Sequence, residues 1–315
     1  MSNSVIVGID TSNYTTSLAI SDECGNIILN KKRLLPVKNG ECGLRQSDAV
    51  FAHVKNIPLV MQEVKDALKD KNVVAIGVST RPRSVENSYM PCFLTGMAIA
   101  DTISAFSSAP IYEFSHQCGH IMAAIYSSKN ESLLNAQFGA FHLSGGTTEL
   151  LLSRFNGKDF NTEIVGATKD ISAGQLIDRI GVMLGLGFPA GKELEKLALQ
   201  SESKPKIPKI KLDGCYINLS GVENLAKKLY KETNDAPLVA AYVFEYLGEA
   251  ILKISNNLLD KYGDMPILYV GGVMSNSIIK SKLRNGVNAC FAEPEFSSDN
   301  ASGIALLARH AYLCK

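Results

Sequence analysis

Apolar, largely β-branched residues run unbroken through SVIVGID (4–10) and stop at an acid; TSNYTT follows, and SLAIS (17–21) resumes the apolar pattern. This reads as strand, hydroxyl-rich loop, strand. The theme returns at GAFHLSGG (139–146), TT and ELLLSRF (149–155). A chain that states one hairpin twice, with helical patterns between and after, predicts a duplicated α/β fold. Its two lobes would flank a cleft, with ligands beyond the carboxyl ends of the strands.

Between the hairpins, Val50, Phe51, Val54, Ile57, Met61 and Val64 recur at helical spacing. A strand VVAIGVST (73–80), a helix near 92–107 and a helix on SHQCGH (115–120) complete the first half. Beyond the second hairpin the pattern turns helical, near 172–184, 191–200, 220–232 and 236–261, each bounded by Gly, Pro, Ser or Asp. MPILYV (265–270) then reads as a buried parallel strand, GGVMSN as a tight loop and SIIKSKLRNG as a helix; SSD precedes a last helix starting near Asn300. The expected division is a first lobe of residues 1–125 joined by the C-terminal helix 297–315, and a second lobe, 126–296, with a helical insertion.

Composition narrows the class. At 315 residues and 46% hydrophobic content, the chain has material for two cores. MSNSVIVGID lacks a basic leader, and no run of about 18 uncharged apolar residues occurs, so a cytoplasmic chain without a membrane span is expected. Seven cysteines without CxxC spacing fit reduced thiols. A net charge of +1 offers no global field for nucleic acid; the local runs NKKR (30–33) and KPKIPKIK (204–211) read as solvated loops.

The chemistry-bearing residues are few. His116 and His120, four apart, share a helix face and can reach one ion, whereas Cys118 points away. The chain has only five histidines, and another, His142, sits beside SGG. Asp299 is a carboxylate that would complete a metal site or cap the last helix. SGG (144–146), flanked by Ser144, Thr147 and Thr148 hydroxyls, suits a phosphate or is a plain hairpin turn. Gly271 and Gly272 follow a strand and open a helix, as at a nucleotide site, and Asn276 would bind a ribose or cap that helix. Asp178 lies on an otherwise apolar helix beside a glycine-rich turn, placed for sugar hydroxyls or simply exposed.

Together these blocks resemble the TsaD family, also called Gcp or YgjD, which completes tRNA threonylcarbamoyladenosine formation. GIDTS (8–12) is similar to the family's GIETS, HQCGH to HxxxH, SGGTTEL to SGG[HN]TxL, and DISAGQLIDRIGVMLGLGFPAGKELEKLA (170–198) to its long central block. INLSGVENLA, GGVMSNSIIKSKL and SSDNASGIALLA resemble FSFSGLKTA, GGVAANxxLRxxL and CTDNAAMIAYAG in order. The resemblance implies the actin/Hsp70/sugar-kinase (ASKHA) fold and one divalent metal, iron or zinc with magnesium as an option, on His116, His120 and Asp299. It implies contacts to an ATP-derived acyl adenylate from His142, Leu143, Ser144, Gly145, Gly146, Asp178, Gly191, Glu195 and Asn276. Asp10 and Ser12 fall at the catalytic end of the first strand, and His142 stands where some relatives place a further metal ligand. Transfer of a carbamoyl-type group to an amine is implied, with tRNA and proteins of TsaB or TsaE type as partners.

Four departures mark the chain as a divergent paralogue. NYTT (13–16) replaces CDET, so two acids are absent, and TRPRSVENS (80–88) replaces a glycine-proline-glycine loop. SGGHT has become SGGTT, and a lysine has become Glu223. These changes leave open a different acceptor, with Arg81 and Arg83 offering forks for an acidic group. They equally suit a non-catalytic nucleotide-binding and metal-binding protein that scaffolds or regulates a TsaD enzyme. A kinase or Hsp70-like ATPase does not need the histidine pair, and the absence of HExxH disfavours a metalloprotease.

Overall fold

The computed structural model describes residues 3–36, 44–297 and 301–314. They form two compact units: Met1–Asn135, Arg154–Asn161 and Ser298–Lys315 in the first, Ala136–Ser153 and Thr162–Ser297 in the second.

The first unit opens with β1 (Ser4–Thr11), β2 (Thr15–Asp22) and β3 (Ile27–Leu34), continues through α1 (Gln46–Leu68), β4 (Asn72–Arg81), α2 (Phe93–Ser107) and β5 (Ile111–Ser115), and reaches α3 (His116–Ser128). The next strands are β6 (Gln137–Leu143), β7 (Thr148–Phe155) and β8 (Phe160–Ala167). The helices α4 (Ala173–Met183), α5 (Gly191–Ala198), α6 (Ser220–Thr233) and α7 (Ala236–Tyr262) then intervene before β9 (Ile267–Val270), α8 (Ser277–Arg284), β10 (Ala289–Phe291), α9 (Pro294–Ser297) and α10 (Ser302–Leu313).

The duplication expected from the hairpins is present strand for strand. One sheet has the order β3-β2-β1-β4-β5 and the other β10-β9-β6-β7-β8, so β6 to β10 repeat the places of β1 to β5. In the first sheet β1 pairs antiparallel with β2 and parallel with β4. In the second, β9 lies parallel between β6 and β10, and its register is set by an aromatic ladder in which Phe141, Tyr269 and Phe291 stack at 5.4 and 5.2 Å. Buried Tyr269 keeps its hydroxyl satisfied on Ser255 Oγ at 2.8 Å.

Each unit has its own core. In the first, Val5, Val7, Ile9, Ile20, Ile76 and Val78 pack with Val60 and Val64 of α1. The second is organised around α7, whose Val239, Val243, Phe244, Leu247, Ile251 and Leu258 are buried. α10 crosses the first sheet so closely that a Cβ on Gly77 would lie 2.5 Å from the Ile304 carbonyl oxygen, and one on Gly303 would meet the Gly119 carbonyl oxygen of α3. Small residues therefore hold the histidine-bearing helix in place. Among the described residues no helix is long and apolar enough to cross a membrane.

Two sequence expectations change. Phe51 and Val54 are exposed, and the buried face of α1 is instead Ala49, Ala52, His53, Val60 and Val64. NKKR is not a loop but part of the sheet-edge strand β3, where Lys31 and Arg33 pair with Glu63. Charge on an edge strand discourages pairing with another chain, which explains why its apolar signal is weak.

Candidate functional site

In the first unit, β1 delivers Asp10 and α3 delivers the histidines. Ser115 caps α3 by accepting from the Cys118 N–H at 3.1 Å, which starts the helix at His116 and puts His120 one turn on. Their Nε2 atoms are 3.0 Å apart. Asp10, fully buried, brackets His116 Nδ1 with its two oxygens at 3.1 and 3.0 Å, and it also accepts from Ser79 Oγ. The carboxylate fixes the imidazole proton on Nδ1 and leaves the Nε2 lone pair aimed towards His120.

That donor set fits a divalent ion. Two nitrogens bound at about 2.1 Å to one ion lie ~3.0 to 3.4 Å apart for angles between right and tetrahedral. Two converging imidazole nitrogens, one oriented by a carboxylate behind it, are the usual chemistry of such a centre. Asp299, the third ligand implied by the resemblance, lies outside the described residues. Cys118, which the spacing already turned aside, is buried, contacts Ser84 Oγ and the Phe160 carbonyl, and is pushed up to about 12 chiefly by burial, so it stays a thiol.

The β1–β2 loop, where acids are absent, is filled from α1. His53 is fully buried; its Nε2–H donates to the Ser12 carbonyl and its Nδ1 accepts from Thr16 Oγ1, both at 2.8 Å. Burial holds its pKa below the ordinary value, with the Ser12 bond and the Asp10 charge acting the other way. Gln46 Nε2 donates to Asn13 Oδ1 at 2.6 Å, and its Oε1 accepts from the Cys92 N–H at 3.4 Å. Ser12 Oγ donates to the Thr15 carbonyl at 3.4 Å. Thr11 Oγ1 spans the Cys92 carbonyl and the Gly96 N–H, tying the loop to α2. Nothing in the sequence marked Gln46 or His53, since their partners are more than thirty residues away.

The segment 80–88 packs on the first turn of α3. The Gln117 N–H donates to the Pro82 carbonyl at 3.1 Å, and Ser84 Oγ donates to Ser115 Oγ at 3.0 Å. Arg81 Nη1 is held by Thr80 Oγ1, and its charge faces Asp159, whose carboxyl burial pushes upward.

In the second unit the predicted nucleotide residues are joined by an unbroken series of contacts. The β6–β7 loop closes with the Ser144 N–H on the Thr147 carbonyl and the Thr147 N–H on Ser144 Oγ. Gly145 and Gly146 are exposed, a Cβ on either would meet open space, and among the described residues neither amide makes a hydrogen bond. The N-terminus of α4 docks beneath: Ser172 Oγ donates to the Gly145 carbonyl at 2.6 Å, and the Ala173 N–H donates to Thr148 Oγ1. A Cβ on Gly174 would lie 2.5 Å from Gly145 Cα, so glycine is required there.

From α4, Asp178 Oδ1 accepts the Ala190 N–H at 2.8 Å and so caps the start of α5 beside Gly191; burial raises its pKa. From α5, Glu195 Oε1 accepts from the Ser277 N–H at 2.7 Å and from its hydroxyl at 2.6 Å. Asn276 caps α8 by accepting from the Ile279 N–H through Oδ1, and its buried Nδ2 has no partner among the described residues. Gly271, at φ +101°, brings this turn back to Leu143, whose carbonyl oxygen a Cβ would overlap. His142 pairs in register with Val270.

Asp170 was not singled out by its motif. It accepts from the Leu219 and Ser220 N–H groups and from Ser220 Oγ, welding the DIS and LSG blocks together. Against the upward push of burial, these bonds hold its carboxyl down at about 2. Glu223 pairs with Arg179 at 3.1 Å and Lys227 at 2.5 Å.

With this geometry in view, comparison with known proteins is specific. The sequence pattern of the family described as tRNA N6-adenosine threonylcarbamoyltransferase matches residues 26–306. The protein of that name from Riemerella anatipestifer is 28% identical, covering 99% of this chain and 94% of the relative. That from Thermotoga neapolitana is 26% identical over 95% and 92%. Among solved structures, component A of (R)-2-hydroxyglutaryl-CoA dehydratase from Acidaminococcus fermentans superposes with a TM-score of 0.58 at 16% identity over 98% and 99% of the two chains. Full-length HypF in its phosphate- and nucleotide-bound form gives 0.63 at 13% identity, over 99% of this chain and 46% of that one. A ROK family glucokinase from Streptomyces griseus gives 0.54 at 12% over 97% and 99%. The fold is therefore the two-sheet actin/Hsp70/sugar-kinase architecture.

Proposed function

Since this chain belongs to the tRNA N6-adenosine threonylcarbamoyltransferase family, we propose that it transfers a threonylcarbamoyl or related carbamoyl-type group from an ATP-derived acyl adenylate to an amine of tRNA. The observation that carries the reading is the Asp10–His116–His120 line, with the two Nε2 atoms converging at 3.0 Å. His116 and His120, with Asp299, would hold a divalent metal. When bound, that ion supplies Lewis acidity to the acyl carbonyl and fixes the adenylate.

Asp10 acts through His116 and is a positioning residue in this scheme, sealed from solvent behind the imidazole. Ser12, bonded through its hydroxyl and its carbonyl, shapes the β1–β2 loop beside it. The Gly145 and Gly146 amides with the Ser144 and Thr147 hydroxyls form a phosphate cradle. Asn276 Nδ2 and the carboxylates Asp178 and Glu195 line the ribose and base side. In the reaction the amine nitrogen bonds to the acyl carbon, the carbon–oxygen bond to the nucleotide phosphate breaks, and the amine loses its proton. His142 is a candidate further ligand, and His142→Leu tests it by metal content. Free thiols at all six described cysteines support a reducing, cytoplasmic setting, and partners of TsaB or TsaE type remain part of the proposal.

The loop sealed by Gln46 and His53 favours a second reading, a nucleotide-binding and metal-binding paralogue that regulates a TsaD enzyme. Elemental analysis of the purified protein tests the metal assignment. About one divalent ion per chain is expected in the wild type, its loss in His120→Ala, and about 10- to 100-fold weaker binding in Asp10→Asn. Unchanged metal content in His120→Ala overturns it.

A further inference from the structure

KPKIPKIK is a solvated loop, as its charge suggests, but an anchored one. Residues 201–212 lack regular secondary structure, yet Ile210 is buried, and Ile207 and Leu212 pack on the second unit's core. Lys253 Nζ donates to the Ile210 carbonyl at 2.8 Å, and Asn257 Nδ2 donates to the Gly214 carbonyl at 2.6 Å, anchoring the strap to α7. With its isoleucines turned inward, the strap presents Lys204, Lys206, Lys209 and Lys211 to solvent. Two-residue steps of extended chain space such charges by about 6.5 Å.

These lysines are not spent on acids: among the described residues none of the four is in an ion pair. Two carboxylates that line pockets beside the strap are committed elsewhere, Asp213 to Lys169 at 2.6 Å and Glu249 to Lys282 at 2.6 Å. An open groove of about 590 Å³ runs beside the strap, lined by Lys209, Lys211, Lys169, Tyr216 and Asn218. Lys169 Nζ sits 5.6 Å from the centre of the Tyr216 ring. Four exposed lysines within eight residues, none in an ion pair among the described residues, concentrate positive charge on the strap.

We propose that the 204–211 strap and its groove form an RNA-binding surface that holds the phosphodiester backbone of the tRNA substrate. The proposal rests on the reading that the chain acts on tRNA, and adds which face receives it. Lysines on an anchored strap give affinity without sequence readout, and they fix where the strand runs. The tyrosine and asparagine beside them offer a stacking face and an amide to an unpaired base.

The test is binding of an unmodified tRNA transcript to the full chain as a function of salt. The variants are K204Q/K206Q/K209Q/K211Q and the charge-matched control K55Q/K65Q/K69Q/K71Q on and beside α1, with thermal melting of each to verify folding. The strap variant is expected to lose about 10- to 100-fold in affinity at low salt and to flatten the log K against log salt slope by about 3, while the control changes neither. Full affinity and slope in the strap variant, or an equal loss in the control, overturns the proposal and leaves the family reading standing. A wild-type chain that does not bind the transcript at all overturns both.

Discussion

The loop after β1 and the loop after β6 hold the same place in two copies of one strand-loop-strand unit, and the chain finishes them in opposite ways. In the first, Ser12 and Thr15 are buried and the interior is filled by His53 and Gln46, which bond to the loop's carbonyl, amide and hydroxyl groups. In the second, the support comes from beneath, from Ser172 and Gly174 of α4, and the outer face of Gly145 and Gly146 is left open. The same fold thus yields a filled wall in one copy and open glycine amides in the other. What decides the outcome is the helix that follows: α1 sends side chains into its loop, and α4 approaches through a glycine that sends none.

The largest effect is expected where the wall is held. His53→Ala removes a buried ring and strands Thr16 and the Ser12 carbonyl, costing about 2 to 4 kcal/mol by urea unfolding. A loss below about 1 kcal/mol would mean that the loop holds itself. On the cradle side the effects should divide. Gly174→Val forces α4 off the Gly145 backbone and costs about 1 to 3 kcal/mol. Gly146→Val, which meets open space, should stay within about 0.5 kcal/mol of wild type yet weaken a non-hydrolysable ATP analogue in calorimetry. If Gly146→Val binds the analogue as wild type does, the open loop is not a phosphate cradle.

Near neutral pH the wall should contribute a pH dependence. His53 is neutral in the fold with its pKa held below 6.5 by burial, so the unfolded chain takes up the proton first. Its stability contribution is full above about 6.5 and is lost as pH falls towards the depressed folded value, so the urea midpoint should drop as pH falls below about 6.5. His53→Gln should flatten that drop, and an undiminished slope would place its origin elsewhere. A smaller effect than at the wall is expected at Asp170, which ties the 168–172 segment to the start of α6. Asp170→Asn should cost about 1 kcal/mol. The wild-type contribution should be intact above 3.8 and fade as pH falls towards about 2.

The sequence carried the architecture well because the duplication is written in apolar runs of the correct period. SVIVGID, VVAIGVST and MPILYV are central strands buried on both faces. β3, β5, β8 and β10 escaped because edge strands are short or polar: IILNKKRL shows charge, and ACF has three residues. Within the site, His116 with His120 was legible since helical spacing alone brings them together. The partnership of Asp10 with His116 spans 106 positions and that of His53 with Thr16 spans 37, and no local pattern encodes either. Asp178 stood out as an acid on an apolar helix and Glu195 entered with the family resemblance, while their observed bonds, to Ala190 and Ser277, emerge only when α4, α5 and α8 meet.

The account stands on transfer proceeding beside a wall that has no carboxylate at NYTT. The most direct measurement is nucleoside mass spectrometry of an unmodified tRNA transcript incubated with the metal-loaded full chain and threonylcarbamoyl adenylate. The account predicts an adenosine carrying the threonylcarbamoyl mass, absent with His120→Ala. A fully metal-loaded, folded wild-type chain that binds the adenylate and leaves the tRNA unmodified would contradict it and establish the regulatory reading in its place.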